Sequence, residues 1–170
     1  MGRFVAGLRA FALSLGAPGL FLIAFLDSSV LSLPEVADLL VVWMVTRNHE
    51  RLWLYALAAT AGSLCGCLLM YTIGRKGGDA LVRRRFAGPM VERAMAMFQR
   101  YGVLAVLVPS LLPPPAPFKI FVLLAGVAGI SFGRFALAIV IGRGVRYVVL
   151  GFLAIEYGDL ALGYMEKHGV

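Results

Sequence analysis

Charge is scarce in this chain. Only 15% of its 170 residues are Asp, Glu, Lys or Arg, against about 25% in soluble domains. Acids number nine against sixteen Lys and Arg, with two histidines and two cysteines. Cys65 and Cys67 lie two apart in an apolar stretch and point to different helix faces. They can neither pair nor clamp a metal, and they read as small packing residues. His49 and His168 fall in connecting and terminal polar stretches and receive no role. No nucleophile–base pair, metal-ligand cluster or phosphate-binding glycine loop occurs, so no enzymatic activity, metal or cofactor is expected. The net charge of +7 has no soluble domain to carry it, which excludes a nucleic-acid partner.

Apolar sequence is abundant, at 61% of residues, and implies one membrane domain. Two runs, Leu20 to Leu26 and Val36 to Val45, are too short for a bilayer that needs about 20 residues. Between them lie Asp27-Ser28-Ser29 and then Pro34, so the pair predicts a re-entrant hairpin. Leu52 to Ile73 is long enough to cross, with Trp53 and Tyr55 suited to one interface and Tyr71 to the other. Gly62 and Gly66 give this span a face for close helix packing. Ser131 to Ile155 is a second full span, and it contains Arg143 and Arg146.

The most unusual stretch is Pro109 to Gly126, PSLLPPPAPFKIFVLLAG. A straight membrane helix does not tolerate prolines at 109, 113, 114, 115 and 117, because each removes a donor and crowds the preceding turn. The freed carbonyls need protein or water partners, which lipid does not supply. Two half-helices meeting at a broken tip satisfy them, and Lys119 sits just past that tip. An unwound backbone beside a cation at membrane depth predicts a site for an anion.

Around these elements the chain divides into an interfacial helix (1–15), a first hairpin plus spanning helix (16–74), a basic amphipathic connector (75–100), a second hairpin plus spanning helix (101–156) and a polar tail (157–170). In the first segment Arg3 and Arg9 alternate with apolar residues, and Gly16, Pro18 and Gly19 are expected to end the helix. Its charged start resembles a signal peptide, but it lacks a small-residue cleavage site and is expected to be retained. The connector holds seven Lys or Arg residues, which assigns it to the cytoplasm. Arg3, Arg9, Arg47, Arg51 and Lys167 fall on the opposite side.

The halves echo one another. Gly19 to Pro34 and Gly102 to Pro117 align at a single offset, and Ile-Gly-Arg recurs at 73–75 and 141–143. With one crossing between them, the hairpins should enter from opposite faces as an inverted pseudo-repeat with its site at the midplane. The expected fold is therefore all-α: two opposed re-entrant hairpins, two full transmembrane helices and amphipathic interfacial helices.

FLDSSVLSLPEVADLL, PPPAPFKIFVLLAGVAG and FGRFALAIVIGRGVRY, in that order, resemble the DedA family, also described as the VTT or SNARE-associated domain. The resemblance runs from about residue 15 to about residue 157. It implies facing re-entrant hairpins and a role in moving lipids between leaflets. Bacterial relatives are linked to polyprenyl-phosphate carriers, and eukaryotic ones to phospholipid scrambling. Family acids in the first hairpin map onto Asp27 and Glu35, with Asp38 close by. Where many members carry an arginine in the second hairpin, this chain has Leu111, Leu112 and further prolines, leaving Lys119 as the cation. Lysine binds phosphate as a point charge rather than through a bidentate fork.

The expected site combines Lys119, Arg143 and Arg146 as substrate-binding residues. Asp27, Glu35 and Asp38 serve in proton coupling or ion pairing, and Pro34, Pro113, Pro114, Pro115 and Pro117 break the helices. Duller roles stand beside these. Ser32 and Glu35 fit a capping box, Asp27 suits a turn cap, and Asp38 has a route to water. The two arginines share a face on which they can pair with acids and hold the halves together. The leading function is translocation of a lipid with an anionic, phosphate-bearing headgroup such as polyprenyl phosphate or a phospholipid, with proton coupling. Small-ion or solute transport and a non-transporting envelope scaffold are the alternatives. Membrane lipids are the expected partners, a homo-oligomer remains open, and the bacterial inner (cytoplasmic) membrane is the expected location.

Overall fold

Two long antiparallel helices carry the architecture. The computed structural model describes residues 15–29, 36–86, 89–111 and 118–168, and among these residues it is all helix and short turns. The helices are α1 (Ala17–Ser28), α2 (Val36–Arg47), α3 (Leu52–Phe86), α4 (Pro89–Tyr101), α5 (Leu104–Leu111), α6 (Phe118–Val127) and α7 (Phe132–His168), with a 3₁₀ turn at His49–Arg51. At 1.5 Å per residue, the 35 residues of α3 and 37 of α7 are about 50–55 Å long. Their apolar sections, His49–Gly77 and Phe132–Gly158, are long enough to cross a membrane. The remaining apolar helices have half that length or less.

Contacts along the two long helices fix their directions. Tyr71 of α3 stacks on Phe135 of α7, with ring centroids 4.6 Å apart, while Trp53 meets Phe152 edge-on at the other end. The short helices lie along them. A Cβ on Gly62 or Gly66 would strike the Phe21 or Phe25 carbonyl of α1, so α1 runs against the first half of α3. Gly74 and Gly126 allow the same intimacy between α6 and the second half of α3, at Leu123 and Tyr71. Helix α2 packs on α7, with Thr46 beside Gly158, and α5 packs on α7 through Ser110 beside Gly142. Small residues permit such approach where lipid supplies no hydrophobic drive between helices.

Several sequence boundaries move. Helix α3 runs through Gly77-Gly78 to Phe86, so the connector's first part continues a helix. Pro18 and Gly19 begin α1 instead of ending a preceding helix, because proline's fixed φ suits a first turn; Gly16, at φ 65°, is the cap. Pro109 lies inside α5 and does not interrupt it. The tail continues α7 as helix to His168. The expected interfacial helix at 1–14, the capping box at Ser32 to Glu35, and the breaks at Pro34, Pro113, Pro114, Pro115 and Pro117 lie outside the described residues.

The outside of the bundle is apolar. Leu57 of α3 and Leu137, Val145 and Phe152 of α7 are exposed, whereas Arg143 is buried and Ser28 and Ser63 lie inside. Water would reverse this distribution. Large outward apolar faces around an inward cation are what a hydrocarbon solvent selects.

Candidate functional site: a charged layer at mid-depth

The two spans have their midpoints at residue 63 and residue 145, and polar side chains gather at that level. Ser28, at the end of α1, and Ser63, on α3, share a buried 2.8 Å hydrogen bond. Cys67 lies one turn beyond Ser63 and is fully buried, while Cys65 is exposed on another face. Across from them, α7 presents Arg143, Arg146 and Tyr147. Positions three and four apart share a helix face, so sequence spacing alone aligns these three.

Arg146 forms an ion pair with Asp38 on α2, through its Nη2 and Nε groups. Both side chains are largely buried, at 11% and 16% exposure. Asp27, half-buried in the last turn of α1, lies within electrostatic reach of Arg143, Lys119, Asp38 and Arg146. Lys119, half-buried in the first turn of α6, feels Asp27 and Arg143 in turn. Two acids and three cations from α1, α2, α6 and α7 thus converge on one layer. A charge at this depth costs about 2.5–3.5 kcal/mol on insertion scales, which compensation within the cluster offsets.

Arg143 is the least solvated member, at 9% exposure. Its guanidinium carbon lies 4.4 Å from the centroid of the Phe118 ring at the start of α6. Gly142 and Gly144 flank it, so Ser110 and Thr60 approach the helix on either side. Its Nε is buried with no hydrogen-bond partner among the described residues, and so is the Tyr147 hydroxyl one turn on. Ser63 lies beside Tyr147 and shares its hydrogen bond with Ser28. A buried unsatisfied polar group costs about 1–3 kcal/mol, and among the described residues two such groups share this face.

The structure therefore brings together Asp27, Asp38, Lys119, Arg143 and Arg146, while Glu35 lies outside the described residues. Asp38 turns to Arg146 instead of to water. Tyr147 and the Ser28–Ser63 pair were not singled out by sequence; the signal available was Tyr147's place one turn after Arg143. The two Ile-Gly-Arg tripeptides occupy different depths. Arg143 lies mid-span, whereas Arg75 is exposed near the end of its span. There Arg75 donates to the Tyr71 hydroxyl, which donates to the Ile130 carbonyl in the α6–α7 turn.

Comparison with known proteins agrees with this architecture. The VTT domain model matches residues 33–155, well over half of the chain. The inner membrane protein YqaA of Escherichia coli is 28% identical over 137 residues, covering 81% of this chain and 89% of YqaA. An uncharacterized protein of Haemophilus influenzae is 24% identical over 148 residues, covering 85% of this chain and 75% of that one. One from Methanocaldococcus jannaschii is 22% identical over 141 residues, with 82% and 85% covered. No solved structure matches the chain significantly. With its long apolar helices and its charges turned inward, the chain is a membrane protein of the VTT-domain, or DedA, family.

Proposed function

We propose that the protein moves a lipid with an anionic, phosphate-bearing headgroup between leaflets, in a bacterial inner membrane. The observation that carries this is a pair of buried groups at mid-depth, Arg143 Nε and the Tyr147 hydroxyl, unsatisfied among the described residues and set inside a layer of compensating charges. A phosphate offers several acceptor oxygens and a charge of the right sign, and its chains remain in lipid outside the bundle. Lys119 and Arg146 supply further positive charge, with Asp27 in the proposed proton-coupling role and Asp38 in ion pairing.

The arrangement of helices supports access from both sides. Helix α1 starts beside Tyr55 and Arg51 at one end of α3, reaches mid-depth at Ser28, and α2 returns to that same end at Asn48. Helix α6 runs from Phe118, beside Arg143, to Val127 near the opposite end of α3, at Tyr71. Each half-length pair is read as a re-entrant hairpin, and the two enter from opposite faces. The packing is reciprocal: α1 lies on α3 as α5 lies on α7, and α2 lies on α7 as α6 lies on α3. An inverted pseudo-repeat would produce that exchange.

Reconstitution into liposomes with leaflet-resolved reporters tests this reading. Wild-type protein should equilibrate a fluorescent anionic phospholipid or prenyl phosphate between leaflets, and Arg143→Gln should not. Failure of the wild type on every phosphate-bearing lipid tried would overturn the proposal. One observation favours a structural role for part of the layer: the Arg146–Asp38 pair links α2 to α7 directly. If that pair is only structural, Asp38→Asn and Arg146→Gln each destabilise the fold, and the double variant regains both stability and transport. If it belongs to the transport path, the double variant folds and stays inactive.

A further inference from the structure

A second basic site lies away from the central layer, at the outer end of the first hairpin. A cavity of about 480 Å³ opens where α1 begins, α2 ends and α3 begins. Its walls include Leu15, Trp43, Arg47, Asn48, Arg51 and Tyr55. The guanidinium carbon of Arg47 lies 4.1 Å above the Trp43 ring. Stacking engages the face of a guanidinium and leaves its N–H edges for acceptors. Arg51, in the 3₁₀ turn that follows, is exposed on the same cavity, and Asn48 adds an amide. No carboxylate among the described residues lines the cavity, and Glu50 beside it is exposed to solvent.

Position narrows the chemistry. The cavity sits at the His49 end of the first span, the level of the headgroups if the span crosses a bilayer. Residue 63 is fourteen residues further along α3, so the central layer is about 20 Å away. Tryptophan, tyrosine and arginine together favour such an interface, where one end of a ligand is wet and the other apolar.

We infer that this cavity binds the phosphate group of a net-anionic amphiphile, one without a choline to neutralise it, held by Arg47, Arg51 and Asn48, with the apolar part along Trp43, Tyr55 and Leu15. The site does not depend on transport: it would stand if the central layer proved to be structural. Its ligand chemistry is shared by a phospholipid headgroup and free inorganic phosphate, and the apolar wall favours the lipid.

The two tryptophans make a direct test available. Trp53→Phe leaves Trp43 as the sole tryptophan, because the chain has only two, and Trp53 is an exposed side chain. The full-length variant is reconstituted into phosphatidylcholine vesicles containing a small fraction of brominated phosphatidylglycerol or, separately, brominated phosphatidylcholine. Trp43 should be quenched about fivefold more effectively by the anionic lipid. In Arg47→Gln/Arg51→Gln that preference should disappear. In Arg47→Lys/Arg51→Lys, which keeps the charge but not the stacking or the fork, it should fall by at least about half. Equal quenching by the two lipids in the parent would overturn the site, as would an undiminished preference in the glutamine variant. Full preference in the lysine variant would also overturn it, by reducing the effect to surface potential. Adding inorganic phosphate at matched ionic strength against chloride identifies the source. Loss of the preference means that free phosphate occupies the same site, and its persistence means that the lipid-borne phosphate is the ligand. All these variants alter exposed residues, so folding can be verified independently by gel filtration in detergent.

Discussion

The middle and the far end of α3 differ in what they do with an arginine. At the middle, Arg143 reaches in from α7 and stacks on Phe118, and its Nε has no hydrogen-bond partner among the described residues. At the far end, Arg75 is exposed, donates to the Tyr71 hydroxyl, and through it ties the α6–α7 turn to α3. Both follow Ile-Gly, so local sequence does not distinguish them. Depth does. An exposed guanidinium can rely on water, and its hydrogen bonds act as a clasp; a buried one has to find acceptors in the protein or in a ligand.

The largest effect tests what the two regions share. Gly66→Leu in the middle and Gly74→Leu near the end should each cost at least about 3 kcal/mol, because both place a Cβ against the backbone carbonyl of a neighbouring helix. Thermal unfolding in detergent would measure it, and a tolerated Gly74→Leu would mean that only the middle is tightly joined. Next comes the contrast itself. Arg143→Gln should insert normally and lower lipid movement about 10- to 100-fold, the worth of a charged hydrogen bond to the headgroup. Arg75→Gln should change the same rate less than about twofold, since its partners are structural. Equal losses in liposome assays would remove the distinction.

Tyr147→Phe sharpens the comparison further. Its buried hydroxyl has no hydrogen-bond partner among the described residues, so deleting it should leave stability unchanged or slightly raised. Transport should still fall several-fold if the hydroxyl meets a passing headgroup, by about 1 kcal/mol in the barrier. A variant more stable and equally active would make Tyr147 a packing residue. The smallest effect is expected from Tyr71→Phe, which removes the clasp at the end and should lower stability by about 1 kcal/mol without altering translocation. Unfolding scans and the liposome assay read the two consequences separately.

Much of the architecture was legible in the sequence. Run length separated the half-length helices from the full spans, and Gly62 and Gly66 announced a close neighbour because little else explains such a pair in a long apolar helix. The rarity of charge made Asp27, Asp38, Lys119, Arg143 and Arg146 conspicuous, and the fold draws these five together. Three features were not legible. The span is expected to give way to a connector at 75, yet helix costs only about 1 kcal/mol per glycine, and α3 continues through Gly77-Gly78. Pro109 read as part of a break, but it lies inside the eight-residue α5, where only the loss of one backbone bond must be tolerated. The choice of Asp38 as partner for Arg146 depends on how α2 is laid against α7, a long-range fact that no local spacing encodes.

The glycine contacts carry a mechanical consequence. Helices α1 and α6 meet α3 with main chain against main chain, at Gly62, Gly66, Gly74 and Gly126, so no flexible side chain stands between them to yield. Helices α2 and α5 meet α7 through Thr46, Ser110 and the Asp38–Arg146 pair, side chains that can swing and find new partners. The four short helices are thus not equivalent levers: two are welded to one post and two are pinned to the other. The boundary between α3 with its welded pair and α7 with its pinned pair passes Arg143, which lies against Phe118 of α6.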